Sequence, residues 1–202
     1  MWKRLGFGNF LLPFRMADLD RYFMEFSPLE DDVLAILLQS TITRTFDKGE
    51  YLLQAGNTCK YLYFINEGLA KSFFTREDKE FIMRFFSEGR VFSVFDSFLN
   101  RQPSKYSLVA LERTTVVLIH VDTLEDLCKR YHSVETFYRK LVSVATTRMM
   151  KRISEMLEDN ATERYNQFIA ENNQILQRIS LGDLAKYLGI TQQSLSRIRT
   201  AR

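Results

Sequence analysis

Cysteine, histidine and proline are scarce in this sequence. The 202 residues include two cysteines, two histidines and three prolines. Cys59 and Cys128 lie far apart and form no Cys-x-x-Cys pair, so the sequence predicts neither a disulfide framework nor a zinc or iron–sulfur site. His120 and His132 are too few for a histidine-based metal centre. We therefore predict no metal and no cofactor, and two reduced cysteines that serve packing.

Long apolar runs are missing as well. No stretch of about 18 uncharged apolar residues occurs. Glycine, asparagine and proline interrupt the apolar segment from Met1 to Met16, which argues against a signal peptide. We expect a cytoplasmic protein that does not enter a membrane. Residues 1–27 are assigned to an N-terminal arm, and Met16 is a candidate second start site.

The remaining composition is that of a globular chain, with 46% hydrophobic, 13% aromatic and 26% charged residues. The length allows one large domain or two small ones. The net charge of +3 is unevenly distributed, because residues 178–202 carry +4 and residues 1–177 carry −1. This basic end predicts a polyanionic partner. Its five cations are Arg178, Lys186, Arg197, Arg199 and Arg202.

The middle of the chain has an apolar period of two. Pro28 to Gln39 first predicts a short helix with Ser27 as its N-cap. Strands are then predicted at Thr41 to Phe46, Tyr51 to Leu53, Tyr61 to Asn66, Ala70 to Thr75, Glu80 to Phe86, Lys105 to Ala110 and Thr114 to Val121. Short strands with this spacing indicate an antiparallel β-roll, sandwich or barrel. Long helices between them are missing, which argues against a parallel sheet.

A long amphipathic helix is predicted from Ser133 to about Asp159, after a short one from Thr123 to Tyr131. At 1.5 Å per residue it spans roughly 40 Å, so a second copy of the chain is the natural cover for its apolar stripe. The alternative is that it packs only on its own β-domain. The predicted dimerisation residues are Phe137, Leu141, Val144, Ala145, Met149, Ile153 and Met156. A solvated face is predicted for Arg139, Lys140, Arg148, Lys151 and Arg152.

The last part of the chain has the pattern of a helix-turn-helix. After a helix from Ala161 to Glu171, two short helices are predicted at Leu181 to Leu188 and Gln192 to Thr200. Gly189 permits the left-handed backbone of the turn between them, and Thr191 is a good N-cap. The shared core is predicted to contain Leu184, Ala185, Leu188, Ile190, Leu195 and Ile198. A purely structural helical hairpin is the alternative.

The outward face of the second helix has hydrogen-bonding groups that suit DNA. Arg197 can bind guanine O6 and N7, and Gln192 and Gln193 can bind adenine N6 and N7. Thr191, Ser194 and the helix amino end are predicted phosphate contacts, as are Arg199 and Arg202. The complete predicted DNA-binding set is Thr191, Gln192, Gln193, Ser194, Ser196, Arg197 and Arg199.

The chain resembles the CRP/FNR transcriptional regulators from about Pro28 to Arg202. The resemblance rests on a β-roll with its glycine pattern at Lys48 to Phe74, the long helix, and Ile179 to Arg199. It implies an α+β fold with a jelly-roll-like β-roll, a dimerisation helix and a winged-helix-type DNA-binding domain, at residues 28–122, 123–159 and 160–202. It also implies a homodimer on a pseudo-palindromic DNA site, with RNA polymerase as a further partner.

The nucleotide pocket departs from the cyclic AMP-binding members of this family. By that resemblance, Val94 stands where a glutamate binds the ribose, and Ser104-Lys105 replaces an Arg-Ser pair that neutralises the phosphate. A buried phosphate needs paired charges, so we expect no tight cyclic AMP binding and leave the effector open. Five phenylalanines are predicted to be core rather than a ligand cage: Phe85, Phe86, Phe92, Phe95 and Phe98.

Two other functional classes fit parts of the pattern. A cupin-type enzyme shares the β-roll shape, but its closely spaced histidine and glutamate ligands are missing. A signalling scaffold that binds a ligand or protein partner without DNA is the other alternative. The sequence therefore favours a DNA-binding regulator that is not an enzyme.

Overall fold

A computed structural model of the chain describes residues 17–200. The predictions for residues 1–16 and for Arg202 fall outside the described residues. In this structure an antiparallel β-roll precedes a long helix and a helical C-terminal region, which confirms the predicted α+β class.

Two four-stranded antiparallel sheets form the β-roll. Its strands are β1 (Thr41–Phe46), β2 (Tyr51–Leu53), β3 (Tyr61–Glu67), β4 (Ala70–Arg76), β5 (Lys79–Phe86), β6 (Val91–Phe92), β7 (Ser107–Ala110) and β8 (Thr114–His120). One sheet has the order β1-β8-β3-β6 and the other the order β2-β7-β4-β5. Consecutive strands thus lie in different sheets, as in a jelly roll, except β4 and β5, which pair as a hairpin in one sheet.

Eight α-helices accompany the β-roll within residues 17–200. They are α1 (Ala17–Phe26), α2 (Asp31–Gln39), α3 (Phe95–Asn100), α4 (Val121–Arg130), α5 (His132–Glu158), α6 (Ala161–Asn172), α7 (Leu181–Leu188) and α8 (Gln192–Thr200). A 3-10 turn at Asn173–Ile175 follows α6. In the described part of the C-terminal region, no strand that could form a wing is present.

Part of the predicted N-terminal arm is a packed helix. Helix α1 buries Leu19 and Phe23 against the β-roll and α5, and the rings of Phe23 and Phe137 lie 4.5 Å apart. The arm assignment therefore needs correction from Ala17 onward. The sequence prediction assigned no helix to these ten residues.

The start of α2 also differs from the prediction. The helix begins at Asp31 rather than Pro28, and its N-cap is Glu30, whose side chain makes no capping bond. Ser27 instead ends α1, because its backbone N–H donates to the Phe23 carbonyl oxygen. Asp31 and Asp32 in the first turn favour the helix through its dipole.

Helix α5 ends at Glu158, and α6 begins after a strong local signal. Asn160 accepts hydrogen bonds from the backbone N–H groups of Thr162 and Glu163, while the Glu163 carboxylate accepts one from the Asn160 N–H. This capping box satisfies donors that the first helical turn would otherwise leave unpaired. Of the helices in residues 17–200, none is both long and apolar enough to cross a membrane.

Candidate nucleic-acid interface

Helices α7 and α8 form a helix-turn-helix around a small apolar core. Leu184, Ala185, Leu188 and Leu195 are buried in it, and Ile190 and Ile198 pack against them. Gly189 ends α7 with φ of +70°, a left-handed conformation that favours glycine. The helices, the turn and the core agree with the sequence prediction.

Side-chain caps fix where each of the two helices starts. The Ser180 hydroxyl accepts a hydrogen bond from the Asp183 N–H at 2.9 Å, and that of Thr191 accepts one from the Ser194 N–H at 3.1 Å. The Thr191 and Ser194 hydroxyls also lie 3.0 Å apart and share a hydrogen bond. The predicted cap at Thr191 is therefore present.

The outward face of α8 brings three of the seven predicted DNA-binding residues together. Gln193, Ser196 and Arg197, with Thr200, line one open depression on this face. Arg199 is exposed nearby. Gln192 lies on another side, because its amide packs so closely on Gly182 that a Cβ there would be 2.7 Å from Nε2. Thr200 also lines the depression, and the sequence prediction did not include it. A threonine at the end of a helix carries no sequence signal for binding.

The five basic residues of the C-terminal end do not all face outward. Arg178 holds Glu88 with two hydrogen bonds of 2.7 and 2.9 Å and also pairs with Glu112. These bonds raise the pKa of Arg178. Burial raises the pKa of Glu88, but the bonds from Arg178 and from the backbone N–H groups of Glu88 and Gly68 together outweigh it, so the pKa lies below the ordinary value. Arg178 thus joins the C-terminal region to the β-roll through ion pairs, and its charge is not free to bind a polyanion.

Lys186 is the second cation used inside the protein. Its ammonium lies 3.3 Å from Glu80, which also pairs with Lys71 at 2.7 Å. The Lys71 ammonium in turn lies 2.8 Å from Asp183 on α7. Burial lowers the pKa of Lys71, yet the hydrogen bonds to the two carboxylates prevail and the pKa is raised. Arg197 and Arg199, by contrast, have no ion pair with any residue between 17 and 200 and remain available.

Apolar contacts reinforce this docking of the helix-turn-helix on the rest of the chain. The ring of Tyr187 lies 5.5 Å from Phe85 of β5 and 5.1 Å from Phe168 of α6. The Arg152 guanidinium lies 4.0 Å from the Tyr187 ring centroid and donates to the Tyr187 carbonyl oxygen. Its side chain is mostly buried, so Arg152 does not belong to the solvated face predicted for it.

The predicted dimerisation stripe of α5 divides into two parts. Phe137 and Leu141 are 0% and 4% exposed within the single chain, because α1 and the β-roll cover them. Their assignment to a dimer surface therefore needs correction: they stabilise the protomer. Val144 and Ala145 are partly buried. The helical period identifies an apolar stripe but not what covers it.

The second part of the stripe is open. Met149, Ile153 and Met156 are 57%, 48% and 42% exposed, and Met150 and Leu157 beside them are exposed as well. We call these five residues the apolar seam of α5. Met150 and Leu157 were not among the predicted dimerisation residues, although Leu157 belongs to the apolar stripe that the sequence predicts.

The β-roll interior is filled by protein side chains near the expected nucleotide pocket. The rings of Phe86 and Phe92 stack 3.7 Å apart, and Val94 is buried. The Ser104 hydroxyl donates a hydrogen bond to the Tyr106 carbonyl oxygen at 2.8 Å and accepts one from the Tyr106 N–H at 2.9 Å. Lys105 is exposed.

The scarce cysteines and histidines have structural partners. Cys59 is buried with its thiol 3.3 Å from the Ser93 hydroxyl, and burial raises the pKa of the Cys128 thiol to about 11. His120 caps α4 by accepting a hydrogen bond from the Asp122 N–H. Among residues 17–200 there is no group of three potential metal-binding side chains.

Comparisons with known proteins match this arrangement. The family model for a cyclic nucleotide-binding domain matches residues 43–131. The fumarate and nitrate reduction regulatory protein of Yersinia pestis is 30% identical over 167 residues, and its counterpart in Escherichia coli K12 is 28% identical. The matched region covers 77% of this chain and 66% of the length of these relatives, which are regulators.

Solved structures show the same fold. FixK2 from Bradyrhizobium japonicum superposes with a TM-score of 0.71 at 21% identity, over 80% of this chain and 83% of that one. The global regulator CLP from Xanthomonas campestris gives a TM-score of 0.68 at 14% identity, over 85% and 91%. The solved structures show the fold, and the sequence relatives with the domain model place this chain in the CRP/FNR family.

Proposed function

We propose that this protein is a homodimeric, sequence-specific DNA-binding regulator of transcription. The observation that carries the proposal is the outward face of α8, where Gln193, Ser196 and Arg197 line one open depression. The opposite side of the helix is anchored by buried Leu195. At 1.5 Å per residue α8 is about 13 Å long, and the major groove of DNA admits such a helix.

Each predicted contact receives a role in this proposal. Arg197 and Gln193 read base edges, and Ser196 hydrogen-bonds beside them. Thr191, Ser194 and Arg199 bind phosphates, and Gln192 sits where α7 and α8 meet, at the edge of the interface. Because Arg178 and Lys186 are paired with β-roll acids, we expect a shallower salt dependence of binding than five free cations would give.

The apolar seam of α5 supports a dimer. Five adjoining apolar side chains exposed on one helix would be covered by the same surface of a second copy, and a two-fold arrangement makes such a surface self-complementary. A dimer places two α8 helices on half-sites roughly 34 Å apart, so the DNA site is pseudo-palindromic. RNA polymerase as a partner and a cytoplasmic location belong to the same proposal.

Arg197→Ala tests base reading. Loss of a two-bond contact to guanine should weaken binding to the preferred duplex by about 1–3 kcal/mol and relax the preference at one base pair. The preferred duplex is first obtained by selection from random sequences, and affinities are then measured by gel shift. Arg199→Ala is the matched control and should weaken preferred and scrambled duplexes equally. An equal loss for Arg197→Ala would make Arg197 a phosphate contact, and no binding to any duplex at low salt would favour a scaffold.

The proposal also includes a β-roll that does not bind cyclic AMP tightly. Val94 offers no carboxylate, the Ser104 hydroxyl is already hydrogen-bonded, and Lys105 is exposed, so a buried phosphate would lack a paired cation. We expect isothermal titration with cyclic AMP to give a dissociation constant weaker than about 10 µM, near −7 kcal/mol. A tighter value would contradict this part of the proposal.

A further inference from the structure

We propose that a cavity between α1, β6 and α5 binds a small amphipathic anion. The cavity measures about 310 Å³, within the lower range of ligand sites. Phe26, Leu141, Val144 and Ala145 give it an apolar wall. This site lies outside the β-roll interior and away from α8, so it extends the proposed function rather than depending on it.

Two arginines give the cavity its charge. Arg90 beside β6 and Arg148 on α5 both line it. Burial lowers the pKa of Arg148, and the nearby positive charge of Arg90 lowers it further. Neither guanidinium pairs with an acid within residues 17–200, and Glu25, which also lines the cavity, is not within ion-pair distance of either. Two like charges at one cavity, neither of them in an ion pair within residues 17–200, favour an anionic ligand, with the Glu25 and Glu171 carboxylates offsetting part of the charge.

The size of the cavity limits the ligand. Its volume equals that of about ten water molecules at roughly 30 Å³ each. A ligand of about ten non-hydrogen atoms therefore fits, with its anionic head at the guanidinium groups and its apolar body against Phe26, Leu141 and Val144. A medium-chain carboxylate such as octanoate has these properties.

The site lies one turn of α5 away from a contact with the helix-turn-helix. The Arg84 guanidinium donates to the Arg148 carbonyl oxygen at 3.1 Å. One turn further along α5, Arg152 stacks on Tyr187 of α7. An anion at Arg148 would therefore stabilise α5 directly beside the contacts that hold the DNA-binding helices, which is the position of an effector.

Isothermal titration of the full chain with octanoate tests the proposal, with octan-1-ol as the neutral probe. We expect octanoate to bind with a dissociation constant below about 1 mM and octan-1-ol to bind at least tenfold more weakly. Raising sodium chloride from about 50 to about 500 mM should weaken octanoate binding, because salt screens the guanidinium charges. Absence of octanoate binding, or equal binding of both probes, would overturn the proposal.

Substitutions locate the binding within the protein. Arg90→Gln and Arg148→Gln should each weaken octanoate binding at least tenfold, whereas Arg139→Gln, which removes an exposed arginine from another side of α5, should leave it within twofold. Ala145→Phe should abolish binding by filling the cavity. Circular dichroism verifies that each variant is folded. If Ala145→Phe does not fold, the two arginine variants alone test the location of the site. Unchanged affinity in both arginine variants would place octanoate elsewhere and refute the site.

Discussion

Phe137→Ala is expected to lower the free energy of unfolding by about 3–5 kcal/mol, the usual range for truncation of a buried phenylalanine. Phe137 is fully buried, and its ring lies 4.5 Å from Phe23 and 5.7 Å from Phe26. The substitution leaves a cavity where α1 packs on α5. Because the contact between α1 and α5 at Phe137 is inside the protomer, the dissociation constant of the proposed dimer should change little.

Urea unfolding monitored by circular dichroism measures the stability, and sedimentation equilibrium measures the dimer. Met149→Ala is the matched control, since Met149 is exposed in the apolar seam and its truncation should cost far less stability. If Phe137→Ala weakened dimerisation while leaving the stability of the protomer unchanged, Phe137 would belong to the dimer surface after all.

Ile153→Glu is expected to convert the proposed dimer to a monomer and to weaken binding to a two-half-site duplex by about 10²–10⁴-fold. The substitution places a carboxylate inside the apolar seam, and the two-fold arrangement would bring two of them together without a partner. Loss of the dimer removes the high effective concentration of the second helix-turn-helix at its half-site.

Sedimentation equilibrium and gel shifts on one-half-site and two-half-site duplexes measure this effect. Thr147→Glu is the control, because it adds the same charge to an exposed position of α5 outside the seam. Affinity for the one-half-site duplex should be similar in Ile153→Glu and wild type. A variant that remains dimeric with unchanged affinity would show that the seam of α5 is not the dimer surface.

The helix-turn-helix could be predicted from sequence because its signals are local. Gly189, Thr191 and the apolar spacing lie within a few residues of the structure that they specify. The caps and the left-handed turn depend on no distant partner. This explains why α7 and α8 begin and end where they were predicted.

Long-range pairing accounts for what the sequence did not reveal. Arg178 and Lys186 contribute to a basic end in the sequence, but Glu88, Glu112 and Glu80 neutralise them across the fold. Helix α1, which is distant from Phe137 in sequence, likewise covers its side chain across the fold. Elements as short as β6 and α3 have too few residues for a periodic signal. Composition and period give the chemistry of a segment, whereas the surrounding chain decides which groups remain accessible.

The end of α5 rests directly on the turn of the helix-turn-helix. A Cβ on Gly189 would lie 3.1 Å from the terminal methyl group of Met156, which is also a member of the apolar seam. In a dimer, the crossing angle of the two α5 helices would therefore set the distance between the two α8 helices. Changes in the seam would alter the preferred number of base pairs between half-sites without altering the bases that are recognised.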